Sequence, residues 1–197
     1  MNANALKAEG LCFLRYIKKC SLVATEVGRF NCDAIGLCAN YSIEIETKIS
    51  IADLRNDFRK HKHMIYQSGV AGLWVPNYFY IMIPLELRDK ALAVLDEKAS
   101  PKYGLICYDP SKNGLDGRKN EVARRAQKLH EGKPRERLKD LVVARMSSEL
   151  CGLHLYLERV STDLSNLIHS GHRGILQTID GVLKAPAEED PEEARDV

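Results

Sequence analysis

An alternating segment between Tyr41 and Ile49 constrains the fold more than any other part of this 197-residue chain. In an extended strand, successive side chains point to opposite faces of the sheet. The segment therefore places Glu44, Glu46 and Lys48 on one face and uncharged, mostly apolar side chains on the other. Burying two carboxylates beside a lysine is costly unless the group holds a cation or reacts. The segment thus predicts a strand and a candidate functional site together.

The surrounding segments predict an α/β fold built on a central mixed β-sheet flanked by helices. Hydrophobic periodicity indicates helices at 3–19, 50–66 and 85–98, and strands at 21–27, 31–37, 41–49, 77–83 and 103–108. The first three strands follow one another directly and are expected to be antiparallel, whereas helices connect the later strands. Small side chains at Ala34 and Gly36 leave room for a helix to pack across the second strand.

Composition and turn signals divide the chain into three expected regions. These are a core domain at 1–117, a basic and helical C-terminal extension at 118–184, and an acidic disordered tail at 185–197. The extension is expected to contain a helix at 135–159 and a helical segment at 163–183 that is broken near Gly171. The pair Asn113-Gly114 predicts a hairpin turn before the extension. The C-terminal helical segment offers a surface for a homodimer.

Hydropathy and cysteine spacing indicate a cytoplasmic protein with no membrane contact. No apolar run is long enough to span a bilayer, and the N-terminal residues lack the pattern of a secretory signal. The six cysteines form no C-x-x-C pair, so they are expected to be buried, reduced thiols rather than metal ligands. The triplet His61-Lys62-His63 is expected to be a solvated stretch of helix.

The charge distribution is asymmetric, although the formal net charge is only +2. Residues 118–139 carry nine Lys or Arg against three acids. This stretch is either a solvated helix or loop, or a strip that contacts the phosphate backbone of nucleic acid with salt-sensitive affinity. Tyr78 and Tyr80 are expected to be core or rim residues rather than base-stacking groups. In the nucleic-acid interpretation, the contacting cations are Arg118, Lys119, Arg124, Arg125 and Lys128.

The order of motifs carries a resemblance to a known family. A helix, the stretch CDAIGL, the stretch IEIETK, a second helix and an apolar strand follow one another within residues 5–108. This order resembles the core of the PD-(D/E)xK nuclease superfamily, which has the restriction-endonuclease-like fold. The proline of the motif name is absent because Cys32 precedes Asp33, but the aspartate that carries the chemistry is present. The later stretch RRAQKLH is weakly similar to small MmcB-type DNA-repair members of the group.

The resemblance assigns roles to individual residues. Asp33 and Glu46 would be the metal-ligand carboxylates, and Thr47 would contribute its backbone carbonyl to the metal. Lys48 would orient or polarise the attacking water. Because two carboxylates neighbour it, Lys48 is expected to stay protonated in the metal-free protein. Glu26 is similar in placement to an additional metal-binding acid that some members use.

Glu9 is a second candidate for this additional acid. The function that the resemblance implies is that of a metal-dependent DNA nuclease. Mg²⁺ or Mn²⁺ held by one or two carboxylates would neutralise the phosphoryl oxygens and help to activate water. The resemblance implies an endonuclease that hydrolyses phosphodiester bonds in DNA repair, recombination, or mobile-element and phage processes. Because this fold also hosts binding and assembly proteins, the alternative is a catalytically inactive nuclease-fold protein that binds DNA or a protein partner.

Overall fold

The structure is a computed structural model that describes residues 2–72, 74–98, 101–112 and 119–183, with side chains as far as residue 171. The chain divides into two compact units, Met1–Glu149 and Leu150–Val197. The first unit contains the whole sheet and the candidate site. The acidic stretch 185–197, Arg118 and the pair Asn113-Gly114 lie outside the described residues.

Helices and strands follow one another in the order α-β-β-β-α-α-β-α-β-β-α. Their bounds are α1 Ala3–Cys12, β1 Leu22–Ala24, β2 Ala34–Leu37, β3 Ser42–Thr47, α2 Ile51–Asp57, α3 His61–Gln67, β4 Tyr78–Pro84, α4 Arg88–Lys98, β5 Gly104–Tyr108, β6 Asn120–Arg124 and α5 Glu136–Leu183. A π-helical turn, Phe13–Ile17, continues α1, and a 3₁₀ turn, Leu85–Leu87, precedes α4.

The six strands form one open mixed sheet in the order in which they occur along the chain. β1, β2 and β3 are antiparallel, β3, β4 and β5 are parallel, and β6 is antiparallel to β5. Ala34 of β2 lies opposite Ile45 of β3, and Ile45 lies beside Tyr80 of β4. The predicted α/β class with a mixed sheet and flanking helices is therefore confirmed.

Helices cover both faces of the sheet. On the α1 face, Leu6 and Leu14 pack against apolar side chains that include Ile43 and Ile45. The small residues of β2 allow this approach, since a methyl group at Gly36 would lie 2.6 Å from the sulfur of Cys20. On the α3 face, α2, α3 and α4 pack over the other side of β4 and β5. β3 is consequently buried on both faces, including its charged side chains.

The helix predicted over residues 50–66 is two helices. Ser50 caps the first of them as expected, because its side chain accepts a hydrogen bond from the backbone of Asp53 at 3.1 Å. The chain then turns, and Lys60 has extended backbone angles before α3 begins. This break gives α3 its own direction over the sheet, with Lys62 and His63 buried.

The basic stretch after residue 118 includes a strand rather than the helix or loop that its charge suggested. β6 pairs with β5 at the edge of the sheet, so the domain boundary predicted at residue 117 falls inside the sheet. The first compact unit continues to Glu149. The local pattern does not predict this strand, because charged residues are common on sheet edges and the alternation of apolar side chains is weak there.

The C-terminal helix α5 runs without interruption from Glu136 to Leu183, so the break predicted near Gly171 is wrong. Within the first unit, Leu138 and Val142 of this helix are buried against Ile35 of β2. No helix in the described part of the chain is long and apolar enough to cross a membrane.

The six cysteines are free thiols, but only Cys20, Cys32 and Cys107 are buried, and Cys151 is exposed. They are not all isolated, because the sulfur atoms of Cys20 and Cys38 lie 3.3 Å apart. Burial is the main reason why the pKa of the Cys20 thiol is raised. A raised pKa disfavours the reactive thiolate at neutral pH.

Candidate functional site

Glu46 lies near the end of β3 with its side chain on the α3 face, where it is only 4% exposed. Its Oε1 accepts hydrogen bonds from the amines of Lys48 at 2.7 Å and Lys60 at 3.3 Å. Its Oε2 accepts a hydrogen bond from Lys62 at 2.6 Å. Three lysines therefore converge on one buried carboxylate.

Asp57, the last residue of α2, is the second carboxylate of this cluster. Its Oδ1 forms salt bridges with Lys48 at 3.1 Å and with Lys60, and its Oδ2 lies 2.8 Å from Nε2 of His63. Burial opposes ionisation, but the hydrogen bond with His63 and the charges of Lys62 and Lys48 hold the pKa of Asp57 well below its usual range. Asp57 is therefore a permanent anion at neutral pH.

Lys48 connects the two carboxylates. Burial by itself lowers the pKa of Lys48, but the neighbouring charges of Glu46 and Asp57 outweigh burial, so the net pKa is raised. This raised pKa agrees with the expectation that Lys48 stays protonated in the metal-free protein. Its amine is thus a fixed positive charge rather than a base.

Glu44 lies two residues before Glu46 on the same face and is fully enclosed. The hydroxyl of Tyr66 donates to one carboxylate oxygen at 2.8 Å, and Lys62 donates to the other at 3.4 Å. Burial raises the pKa of Glu44 to about 7, although the charge of Lys62 works in the opposite direction. Glu44 is therefore able to take up or release a proton near neutral pH.

Asp33 immediately precedes β2 and meets the end of β3. Its Oδ2 accepts hydrogen bonds from the backbone N–H and the hydroxyl of Thr47, both at 2.8 Å, and its Oδ1 lies 3.0 Å from the amine of Lys7. Burial opposes ionisation, but the hydrogen bonds from Thr47 and Lys7 lower the net pKa of Asp33. The structure thus brings Asp33 against the middle residue of the Glu-Thr-Lys triplet.

The carboxylates of Asp33 and Glu46 have different neighbours. By strand alternation the side chain of Thr47 lies on the α1 face, and Lys7 belongs to α1. Glu46 points to the α3 face and bonds to lysines. The two predicted metal ligands therefore lie on opposite faces of neighbouring strands, with Lys7 beside Asp33 and three lysines on Glu46.

Glu26 and Glu9, the two candidates for an additional metal-binding acid, have different partners in the structure. Glu26 lies 3.6 Å from the same Lys7 amine that binds Asp33, and its other oxygen lies 3.1 Å from Arg145. Glu9 instead pairs with Lys119 at 3.4 Å. Glu26 is therefore the acid associated with Asp33.

The oxygen atoms of this site could hold a divalent cation only if water and substrate phosphate supplied its remaining ligands. Within the described ranges, no group of three or more His, Cys, Asp or Glu side chains could hold a metal ion. Mg²⁺, however, often binds through one or two carboxylates and completes its shell with water and substrate phosphate. Asp33, Glu46 and the Thr47 carbonyl offer hard oxygen donors of this kind. A bound cation would have to replace lysine contacts on both carboxylates.

Comparisons of the chain with protein-family models, with curated proteins and with solved structures give no match. The family resemblance therefore rests on the motif residues. The contacts, burial and charges of these residues are the basis for assigning a function.

The predicted nucleic-acid-binding cations are less available than their sequence suggests. Arg125 is exposed and has no carboxylate within salt-bridge distance among the described residues. Arg118 lies outside the described residues. The other three cations have carboxylate partners: Lys119 with Glu9 at 3.4 Å, Arg124 with Asp96 at 2.7 Å, and Lys128 with Glu131 at 2.6 Å.

The sequence did not predict several of the side chains that surround Glu46. Lys62 and His63 were expected in a solvated stretch of helix, but each is only 2% exposed, and so is Asp57. Lys62 and Tyr66 are four residues apart, so they share one helix face. That spacing is the available local signal, and it does not reveal that the face is buried against charged residues of a strand.

Proposed function

We propose that this protein is a metal-dependent DNA nuclease of the PD-(D/E)xK type with a restriction-endonuclease-like core. The observation that carries the proposal is the contact between Asp33 and Thr47, with Oδ2 2.8 Å from both the backbone nitrogen and the hydroxyl oxygen. This contact joins the isolated aspartate to the Glu46-Thr47-Lys48 triplet. An endonuclease in DNA repair, recombination or mobile-element processes is the expected class.

The proposed chemistry distributes roles over the residues of this junction. Asp33, Glu46 and the Thr47 carbonyl would hold the Mg²⁺ or Mn²⁺ ion. When bound, that ion supplies charge neutralisation for the phosphoryl oxygens and makes water a stronger nucleophile. Lys48 is protonated, so it acts by stabilising developing negative charge rather than by removing a proton.

Lysines give the site a resting state and a means of recognising phosphate. Before a cation and DNA arrive, Lys48, Lys60 and Lys62 neutralise Glu46. The side chain of Lys60 is 55% exposed, so it can leave the carboxylate and contact a phosphate at little cost. Lys62 is enclosed and remains as the structural counter-ion.

A cleavage assay tests this function. Plasmid and short linear DNA are incubated with the full chain in Mg²⁺, in Mn²⁺ and in EDTA. Cleavage should require the cation, and Asp33→Asn, Glu46→Gln and Lys48→Met should each lower it by about 100-fold or more, as expected for groups that hold the cation or stabilise the transition state. Glu97→Gln is the matched control, because Glu97 is 48% exposed and pairs with Arg55 at 2.9 Å.

Thermal unfolding of each variant separates lost chemistry from lost folding. Asp33→Asn keeps an oxygen that can accept from Thr47, so this variant is the one most suited to remain folded. The nuclease proposal fails if the wild-type chain cleaves no faster than the folded Asp33→Asn variant, or equally fast in EDTA.

The second candidate is a catalytically inactive nuclease-fold protein that binds DNA. It is favoured by the three lysines on Glu46 and by the absence of a three-ligand group in the parts of the chain that the structure describes. In that case the carboxylates are permanent ion-pair partners. A calorimetric Mn²⁺ titration without binding, together with salt-sensitive retention of DNA, would select this function over hydrolysis.

A further inference from the structure

A cavity lies on the α1 face, at the opposite end of β3 from the Glu46-Thr47-Lys48 triplet. Its volume is about 540 Å³, which is within the range of small-molecule sites. The starts of β3 and β4 form its floor, where Ile43 lies beside Tyr78. Thr47 is four residues further along β3, roughly 13 Å away along the strand. The cavity is therefore a site of its own.

Tyrosine rings form the walls of this cavity. Tyr41 and Tyr78 are half-buried, with ring centroids 5.6 Å apart and ring planes at 87°. Tyr80 also lines the cavity and is only 4% exposed. Rings fixed in this way can stack on a flat heterocycle with little loss of side-chain entropy.

Two cations border the same cavity, Lys18 and Arg125. The amine of Lys18 lies 5.5 Å from the ring centre of Phe13 and 5.6 Å from that of Tyr80. Among the described residues, no carboxylate lies within salt-bridge distance of Lys18 or Arg125. Burial and the charge of Arg125 lower the pKa of Lys18. An anion placed between the two cations would relieve this repulsion.

We propose that this cavity binds a nucleotide, with the base against Tyr41 and Tyr78 and the phosphate between Lys18 and Arg125. The nucleotide is either a free nucleoside monophosphate or a terminal or unpaired nucleotide of a single strand, since both present the same base and phosphate. The site shares no residue with the carboxylate junction. It is therefore independent of the proposed nuclease activity.

Equilibrium titrations of the full chain in EDTA test this site without any contribution from cleavage. The probes are a nucleoside 5′-monophosphate, the corresponding nucleoside, inorganic phosphate and a short single-stranded oligonucleotide. The nucleotide should bind more tightly than the nucleoside or phosphate. Preference for the free nucleotide or for the oligonucleotide identifies which of the two sources the site serves.

Variants assign the two halves of the ligand. Arg125→Gln should weaken nucleotide binding by about 10-fold or more, the usual value of a charge-assisted contact, and leave nucleoside binding unchanged. Tyr41→Leu should weaken both. Lys90→Gln, an exposed cation of α4 outside the cavity, should change neither. The proposal is overturned if neither the nucleotide nor the oligonucleotide binds, or if Arg125→Gln and Tyr41→Leu bind as the wild type does.

An exposed apolar face on the unit Leu150–Val197 independently supports a second inference. One face of its helix exposes apolar side chains spaced alternately by three and four residues, the pattern of a two-stranded coiled-coil seam. The six side chains are 42% to 68% exposed. The stripe consists of Leu150, Leu153, Leu157, Val160, Leu164 and Leu167.

We also infer that this stripe pairs with the same stripe of a second copy. The six seam positions hold no charged residue, so the stripe is complementary to itself, as a two-fold interface requires. Each half-exposed leucine or valine can bury roughly 100 Å², and the six side chains from each copy together remove on the order of 1,000 Å² from water. That is about the smallest area expected of a biological interface.

Light scattering and sedimentation of the full chain test the pairing. The wild type should have the mass of two chains of 22.2 kDa each. Leu157→Glu combined with Leu164→Glu should give a monomer, because two charges in the seam cannot be buried unpaired. Leu155→Glu is the matched control, since Leu155 is 70% exposed but lies off the stripe, and it should remain dimeric. A monomeric wild type, or equal dissociation by Leu155→Glu, overturns the inference.

Discussion

Replacement of Lys62 by methionine is expected to lower the free energy of unfolding by about 3–5 kcal/mol, the usual cost of leaving a buried charge without its partner. Lys62 is 2% exposed and donates to Glu46 at 2.6 Å and to Glu44 at 3.4 Å. Methionine retains most of the packing volume but no charge. Glu46 keeps Lys48 and Lys60, whereas Glu44 loses its lysine altogether.

Urea denaturation of the wild type and of two variants checks this result. Lys60→Met is the matched control, because Lys60 contacts the same Glu46 at 3.3 Å but its side chain is 55% exposed. Its loss should cost less than about 1 kcal/mol. A double variant, Lys62→Met with Glu44→Gln, should recover part of the loss, since the unpaired carboxylate is then absent. Equal losses for Lys60→Met and Lys62→Met would contradict the assigned burial.

The second large effect is a pH dependence that originates in Glu44. Its pKa is about 7 in the folded protein, compared with 4.5 for an ordinary glutamate, so the folded state retains the proton that the unfolded state releases. Stability from this group is therefore complete below about pH 4.5 and is lost as pH rises to about 7. Over that interval the wild type should lose about 3 kcal/mol relative to Glu44→Gln.

Denaturation of both proteins at several pH values between 4.5 and 8 measures this difference directly. Asp33 and Asp57 have lowered pKa values, so their contributions are present above about pH 4 and are lost only in more acidic solution. They do not overlap with the interval assigned to Glu44. Parallel stability curves for the wild type and Glu44→Gln would show that Glu44 is ionised throughout.

The main elements of the sheet could be predicted because their patterns are local. β3 alternates, β4 is a continuous apolar run that ends at Pro84, and α4 follows a helical period. β6 was missed because an edge strand depends on pairing with its neighbour rather than on its own pattern. The division between α2 and α3 was missed because both helices continue one apolar period across the turn.

The candidate site was predicted in part. Asp33 and the Glu46-Thr47-Lys48 triplet were assigned to neighbouring strands, and the contact between Asp33 and Thr47 agrees with that placement. Their roles in holding a metal and in hydrolysis stay predictions. The lysines that neutralise Glu46 could not be assigned, because Lys60 and Lys62 reach it from the loop after α2 and from α3.

The sequence alone specifies which side chains of β3 share a face, because alternation follows from the geometry of an extended chain. It also determined the helix cap at Ser50 and the small residues over which α1 packs. The burial of the charged face, and its enclosure by Lys62, Asp57 and His63, follow from tertiary packing and not from the local pattern. Burial depends on what packs against a face, and α3 comes from a segment whose local pattern is also compatible with a solvated helix.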